Sequence, residues 1–363
     1  MNRHFLPAFA ILFLFTFLSD FNTLAQNLRP VRDDVGFCWT KEDISALIHY
    51  LDKSASDSQA VNNIQIANNT PIAGISPHDD YLYAGDIYYP LFKKIKAKEI
   101  IIFGVTHGTV RKEIGDPHNV IILDDFSEWT GPFGPVKVSP LREQIKNGLD
   151  PKTFNSNNKA QTLEHSLEAM IPFLQYYNQD IKITPIMITG ISFDKMNTLS
   201  SQLSKIITKY IKDNNLTLGK DIFFLISSDA NHYGADFNNT PFGDDEAAHS
   251  KATENDKRIA ETFFNNVLDK TQIQKLSNEL WAQTPEGKPA LSWCGRYSIP
   301  FGLLTTTKIV EEITHKHLNG RLLKYSDTWS EGVIPIKHTH LGLTAPFSLK
   351  HWVGFLSAAF YLE

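Results

Sequence analysis

From Pro71 onward the chain alternates between two hydrophobic patterns. Short, β-branched, mostly apolar runs stand at Pro71–Ser76 (PIAGIS), Glu99–Val105 (EIIIFGV), Asn119–Leu123, Ile181–Ile188 and Asp221–Ile226 (DIFFLI). Each is bounded by glycine, proline or small polar residues, a pattern that predicts buried strands. Longer stretches with apolar residues at helical spacing predict helices over Glu164–Tyr177, Phe193–Lys212, Asp244–Leu268, Thr271–Ala282 and Ile299–Ile313. Two further strands are expected at Arg321–Tyr325 and His351–Tyr361. Strands that are hydrophobic on both faces and alternate with helices need cover on both sides. They imply an α/β layered fold around a largely parallel or mixed sheet.

The first 25 residues follow a different rule. Arg3 precedes a charge-free, mostly apolar run from Phe5 to Leu18, and Thr23-Leu24-Ala25 offers small residues for a signal peptidase. This is the layout of a secretory signal, and the run is too short to span a bilayer comfortably. The expected organisation is a signal at 1–25 followed by a single domain over 26–363, exported to the periplasm or beyond, with no membrane attachment after cleavage. The segment Trp129–Pro140, rich in glycine and proline, is expected to be an ordered surface loop.

Composition narrows the class without choosing a function. The 363 residues carry 35 basic and 40 acidic side chains, a net charge of −5, so no general attraction to nucleic acid or anionic lipid is expected. The two cysteines, Cys38 and Cys294, permit one disulfide at most, which an oxidising compartment would favour. The chain has no G-x-G-x-x-G, Walker A, H-E-x-x-H, G-x-S-x-G or C-x-x-C signature. Nucleotide binding, zincin proteolysis and serine-esterase chemistry lose their usual support.

The chemistry-bearing residues gather where strands end. AGIS runs into Pro77-His78-Asp79-Asp80-Tyr81, IIIFGV into Thr106-His107-Gly108, and IFFLI into Ser227-Ser228-Asp229-Ala230-Asn231-His232. Ligands of open α/β sheets bind outside the carboxyl ends of strands, so the three clusters are expected to share one crevice. His78 and His107 are imidazoles on separate strand ends, an arrangement that lets two ligands converge on one metal. Cys294 precedes a predicted helix and Arg296 follows it closely, both of which would favour a thiolate. His232 suits general acid/base work, with Asp229 three residues away to orient it or a substrate. Glu164-His165-Ser166 opens a predicted helix and adds an imidazole and a carboxylate.

Each of these has a plainer reading. A histidine after a strand is commonly a hydrogen-bonded loop residue. Asp79 and Asp80 suit a turn or a helix cap, and Ser227-Ser228-Asp229 suits an N-cap run. Cys294 is open to two alternatives, a buried small hydrophobe or the disulfide partner of Cys38. His338-Thr339-His340 has same-face spacing on a strand, and a solvated loop is the plainer reading.

Taken in order, these pieces resemble the Memo family, whose bacterial members include the B component of the AmmeMemoRadiSam system. Gly36-Phe37-Cys38-Trp39-Thr40, within Val31–Leu51, resembles the family's N-terminal turn before a helix. Ser76-Pro77-His78-Asp79-Asp80-Tyr81 resembles P-H-A-G-Y, with two aspartates in place of Ala-Gly. Gly104-Val105-Thr106-His107 resembles G-P-S-H, and Glu164-His165-Ser166-Leu167-Glu168 with Pro172-Phe173-Leu174 resembles E-H-S-x-E…L-P-F-L. Ser227-Ser228-Asp229-x-x-His232 and Cys294-Gly295 match as they stand, and Tyr325-Ser326-Asp327 and Val353-Gly354-Phe355 resemble the closing strands.

The resemblance implies an α/β/α sandwich around a mixed sheet, similar to class III extradiol dioxygenases. It implies an iron or copper ion held by His78, His107 and Cys294. It places His232 in the position of the acid/base histidine, with Asp229 and His165 in the same pocket and Asp79, Asp80, Tyr81 and Glu164 around it. It implies a functional link to AMME-type and radical SAM proteins. Residues Glu331–Lys350 look like an added loop, and Cys38 stands where the family carries a bulky aromatic. Three functions remain on this reading: an iron-dependent, oxygenase-like enzyme acting on a small molecule, a non-catalytic metal-binding or redox protein, and a metal-dependent hydrolase.

Overall fold

The computed structural model describes residues 27–59, 70–283, 287 and 290–363. The expected signal at 1–25 lies outside the described residues. Seven principal strands are β1 (Ala73–Ser76), β2 (Glu99–Val105), β3 (Val136–Val138), β4 (Lys182–Ile188), β5 (Ile222–Ser227), β6 (Leu318–Asp327) and β7 (Trp352–Leu362). They lie side by side in the order β3-β4-β2-β5-β1-β7-β6, and shorter strands extend the sheet at both edges. The run from β3 to β1 is parallel, and β7 and β6 add an antiparallel margin. The fold is therefore α/β with a mixed sheet, as the hydrophobic pattern implies.

Seven principal helices are α1 (Lys41–Gln59), α2 (Tyr81–Phe92), α3 (Ile171–Tyr177), α4 (Phe193–Asp213), α5 (Glu246–Phe264), α6 (Lys270–Leu280) and α7 (Ser298–Thr314). Side chains of β2 alternate between two cores. Ile101 and Phe103 pack with α4, α5, α6 and α7, whereas Ile100 and Ile102 pack with α1, α2 and α3. This alternation is what a strand covered on both faces must show. Each fully buried aliphatic or aromatic side chain in these layers contributes roughly 1.5–3 kcal/mol of burial free energy.

Local outcomes differ from expectation in three places. Helix α2 follows directly on the first polar cluster and keeps Pro90 in its last turn. Its residues are buried nearly all round, so it shows little of the amphipathic stripe by which a surface helix is read. The expected helix over Glu164–Tyr177 is broken. Glu164 ends a short helix, Asn158–Leu163, with extended backbone, and helical structure resumes only at Glu168. The ordered loop Trp129–Pro140 carries β3 and contributes the end of the two-residue strand Glu128–Trp129. Cys38 packs as a small hydrophobe, as expected once Cys294 is not its disulfide partner: it is fully buried in the layer that holds Phe37, Leu47 and Tyr81, and both cysteines are free thiols.

No helix among the described residues is long and apolar enough to cross a membrane. The parallel order β2-β5-β1 has a direct consequence for chemistry. Three neighbouring strands end at the same edge, so their carboxyl-terminal loops meet.

Candidate functional site

His78 follows β1, His107 follows β2 and Asp229 follows β5, and the register of these strands brings them together. Cys294 comes from far along the chain. An isolated bridge between Asn231 and Trp293 pins its loop against the end of β5. Gly295 makes this approach possible, because a Cβ there would lie 2.0 Å from Ser228 Oγ and 2.2 Å from Ser228 Cβ. The His78, His107 and Cys294 ligand atoms all lie within 4.8 Å of one another.

Hydrogen bonds decide which ring atoms face inward. The Ser227 hydroxyl donates its proton to the carbonyl of Ser166 at 2.6 Å, so at 2.7 Å from His78 Nδ1 it accepts. His78 Nδ1 therefore carries the ring proton, and Nε2 turns its lone pair toward Cys294 Sγ at 3.4 Å. Glu164 does the same for His107. Its Oε1 accepts from Nδ1 at 2.7 Å and its Oε2 from the His107 amide at 2.9 Å. A carboxylate holding the far nitrogen of an imidazole fixes both tautomer and ring orientation.

Asp229 connects the parts. Its Oδ1 accepts from the His78 amide at 2.8 Å, its Oδ2 lies 3.3 Å from His78 Nε2 and 3.7 Å from His232 Nε2, and its own amide donates to Cys294 Sγ at 3.1 Å. The His232 nitrogen is buried and makes no hydrogen bond to the described residues. His165 stacks on His107 with ring centroids 4.7 Å apart and lies 5.6 Å from His78. Two further groups of potential ligands overlap the first: His107, Glu164 and His165, and Asp229, His232 and Cys294.

Burial and mutual charge set the protonation states. Burial drives His78 down to about 3, against the pull of Asp229, and drives His165 down to about 4 with help from His107. In His107 the Glu164 carboxylate outweighs burial and raises the imidazole above its ordinary value. Burial opposes the charge of Asp229, but the His78 and His232 imidazoles prevail and hold it at about 2. Cys294 departs from expectation. Burial, followed by the Asp229 charge, pushes its thiol well above the ordinary value. It lies in a turn four residues ahead of α7, and neither the helix nor Arg296 offsets those two effects. Two imidazoles, a thiol and a carboxylate thus converge, with His78 and Asp229 free of protons at the centre and His107 and Cys294 retaining theirs, a donor set that suits a cation able to displace those protons.

A cavity of about 610 Å³ opens from this cluster, bounded by His78, His107, His165, Asp229 and His232 on its floor. Asp79 and Asp80 line one wall, joined by Asp33 and Asp34 from the segment before α1. Asp80 sits at the N-terminus of α2 but does not cap it. Its carboxylate accepts from the Thr344 amide at 2.6 Å and from the Thr344 hydroxyl. Burial and the crowding carboxylates raise Asp79 well above the ordinary range, and burial lifts Asp80 to about 6 against the Thr344 donors. Gly36 lies against Asp80 so closely that a Cβ would fall 2.2 Å from its Oδ1.

Two residues expected around the pocket do not line it. Tyr81 is fully buried and turned into the layer of Phe37, Tyr88 and Phe173, with its hydroxyl donating to the Ala169 carbonyl. Glu164 is fully buried behind His107. Among the described residues His338 and His340 belong to no group of potential metal ligands, and His340 instead binds Asp43 at 3.0 Å. The structure gives Ser227 its place behind His78 and adds residues that sequence reasoning passed over: Asp33 and Asp34 lining the cavity, and Leu343 and Thr344 from the added loop. Ser227 was legible as a polar residue closing a buried strand. The others carry no local signal.

The sequence model of Memo-like proteins matches residues 38–330, which include the ends of β1, β2 and β5 and the Cys294 turn. The chain belongs to the Memo family. It is 32% identical over 166 residues to a MEMO1 family protein of Saccharolobus solfataricus, covering 44% of this chain and 52% of that one. It is 30% identical over 166 residues to one of Aquifex aeolicus, covering 45% and 55%. Over 304 residues it is 26% identical to one of Caldivirga maquilingensis, covering 82% and 86%. The first matches thus span about half the length of those relatives. Within this Memo-like chain the resemblance runs through the strand ends and the Cys294 turn, the parts that build the cluster.

Proposed function

We propose that His78, His107 and Cys294 hold one iron or copper ion, and that this Memo-like protein uses it in redox or dioxygenase-like chemistry on a small molecule. One observation carries the reading. Three ligand atoms converge within 4.8 Å while the opposite ring nitrogens are tied back by Ser227 and Glu164. A fully buried carboxylate spent on orienting one imidazole is the support that metal-binding histidines characteristically have.

When bound, such an ion supplies a Lewis acid and a one-electron partner for oxygen. The chain's own residues do the rest. Cys294 would hold the ion as a thiolate, releasing to solvent the proton that burial otherwise retains. The His232 Nε2 atom makes no hydrogen bond to the described residues, in a residue that lines the cavity, and would hold or accept a proton from a substrate hydroxyl, with Asp229 3.7 Å away to steady the charged ring. The 610 Å³ cavity falls in the range of small-molecule sites, which favours turnover over closed metal storage.

Metal analysis of anaerobically purified protein, beside His78→Ala and Cys294→Ser, tests the ligand set. Near-stoichiometric metal in the wild type and its loss in both variants are expected, and unchanged metal in both would remove the assignment. Metal-dependent hydrolysis is a second reading, favoured by the Asp229–His232–Cys294 grouping, which places a carboxylate among the ligands. Activity retained with zinc under nitrogen would select it. The N-terminal pattern supports export, which fractionation of the full chain and N-terminal sequencing check: a cytoplasmic product beginning at Met1 would exclude it. The link to AMME-type and radical SAM proteins rests on family resemblance, and co-purification of either from the native host is its test.

A further inference from the structure

A second, smaller cavity also borders the cluster. A cavity of about 180 Å³ is bounded by His107, Arg111, His232, Cys294, Arg296 and Tyr297. That is room for about six waters, enough for a carboxylate or phosphate group and little more. It shares His107 and His232 with the wide cavity, and Arg296 and Tyr297 with an outer groove of about 520 Å³. The three spaces therefore border one another, with the candidate centre between the two that meet at His107 and His232.

The two cavities differ in their ionisable lining. Five aspartates, Asp33, Asp34, Asp79, Asp80 and Asp229, line the wide cavity against the single cation Arg32. The narrow cavity is lined by two arginines and no carboxylate. The guanidinium of Arg296 lies over the Tyr297 ring, 5.4 Å from its centroid, and makes no ion pair with the described residues. Arg111 Nε is buried and lacks a hydrogen bond, its one ion-pair partner being the exposed Asp116 carboxylate at 3.5 Å. Two guanidinium groups with donors to spare, set on one small cavity, match the planar oxygens of an organic acid.

We propose that Arg111 and Arg296 seat the anionic group, a carboxylate or a phosphate monoester, of the small molecule that the centre receives, and that the acidic wall restricts the remainder of that molecule to a neutral or cationic one. The inference deepens the reading of the centre and depends on it only for the reacting end of the ligand. A molecule with a second anionic group at its far end fits poorly, because that charge would meet the carboxylates of Asp33, Asp34 and Asp80. An amino acid or an aminoalkyl phosphate satisfies both poles.

The test is titration calorimetry of metal-loaded and metal-free protein with 4-aminobutyrate, 3-aminopropyl phosphate and succinate. One of the two zwitterions should bind at least about ten-fold more tightly than succinate, and which one binds separates the carboxylate from the phosphate source. Arg111→Gln and Arg296→Gln should each weaken that binding by about ten-fold or more without changing metal content, and the lysine variants should retain more of it. Asp79→Asn with Asp80→Asn should narrow the preference over succinate. No binding of any probe, equal binding of all three, or binding that both glutamine variants leave unchanged would overturn the proposal. Metal content unaffected by His78→Ala and Cys294→Ser would instead remove the reading of the centre and leave the anion seat standing.

Discussion

Glu164 holds His107 twice, accepting the ring proton at Nδ1 and the amide of the same residue. The carboxylate is fully buried and gives a third acceptance to the Ser166 amide at 2.9 Å, so the residues around it are arranged to keep it charged. A buried carboxylate fastened in this way leaves His107 one free nitrogen and one orientation. Replacing Glu164 by glutamine keeps the shape but permits the amide to present a donor to Nδ1, reversing the tautomer. Metal affinity is expected to fall by about 10- to 100-fold, read by competition with a chelator, while the circular dichroism spectrum is unchanged.

Gly295 lets Cys294 approach β5. Gly295→Ala places a methyl on Ser228 and is expected to cost about 1–3 kcal/mol of stability, with loss of bound metal as the Cys294 turn shifts. Ser228→Gly removes the two nearest atoms the new methyl meets and leaves only Ser298 Oγ at 3.0 Å. The double variant should recover most of the stability in urea denaturation, and a double variant no better than Gly295→Ala would show that the clash lies elsewhere.

Thr344 ties the added loop to the acidic wall through Asp80. Thr344→Val keeps the amide bond and shape but deletes the hydroxyl's hydrogen bond to a carboxylate. A loss of about 1.5–3 kcal/mol is expected, with faster amide hydrogen exchange across 331–350 than elsewhere. Uniform acceleration over the whole chain would mean that the loop has no independent opening.

Arg29 and Glu168 form a fully buried ion pair, and Arg29 also donates to the carbonyls of Gln161 and Glu164 while Glu168 accepts the Arg32 and Asp33 amides. The pair joins the segment before α1 to the turn that carries Glu164 and His165. Arg29→Met leaves Glu168 buried without its cation, and should cost about 3–5 kcal/mol by chemical denaturation. Arg29→Met combined with Glu168→Gln should recover part of that loss.

Asp256 lies behind the Cys294 turn, accepting from Trp293 Nε1 at 2.8 Å and from the Tyr325 hydroxyl at 3.0 Å. Burial raises its carboxyl to about 7 even against these donors. The folded state therefore holds a proton that the unfolded chain releases near 4, and stability falls as pH rises from about 4 to 7, then levels. The swing is on the order of 2–4 kcal/mol. Unfolding free energies at pH 5 and pH 8 should diverge less in Asp256→Asn than in the wild type, whatever the absolute stability of the variant. An identical divergence in both would exclude Asp256 as its source.

Much of the layered fold was legible along the chain. The β2 run EIIIFGV is a strand from Glu99 to Val105 as read, and α4 and α7 fall within a residue of their amphipathic stretches, because a periodic apolar face is a local property. Helix α2 escaped because a helix buried nearly all round shows little such face. The break at Glu164 escaped because its cause is tertiary: the carboxylate turns aside to reach His107.

The site divides along the same line. That His78, His107 and Asp229 would meet followed from polar residues ending buried strands, since parallel neighbours finish at one edge. The sequence by itself also determined the donor types available there, two imidazoles, a thiol and a carboxylate. What only the tertiary structure decided is which atoms face one another and at what cost. Ser227 and Glu164 choose the ring nitrogens, burial and Asp229 keep the Cys294 thiol protonated, and Thr344 brings a distant loop to Asp80. Orientation and protonation depend on neighbours remote in the chain, and on the loss of water that their packing brings.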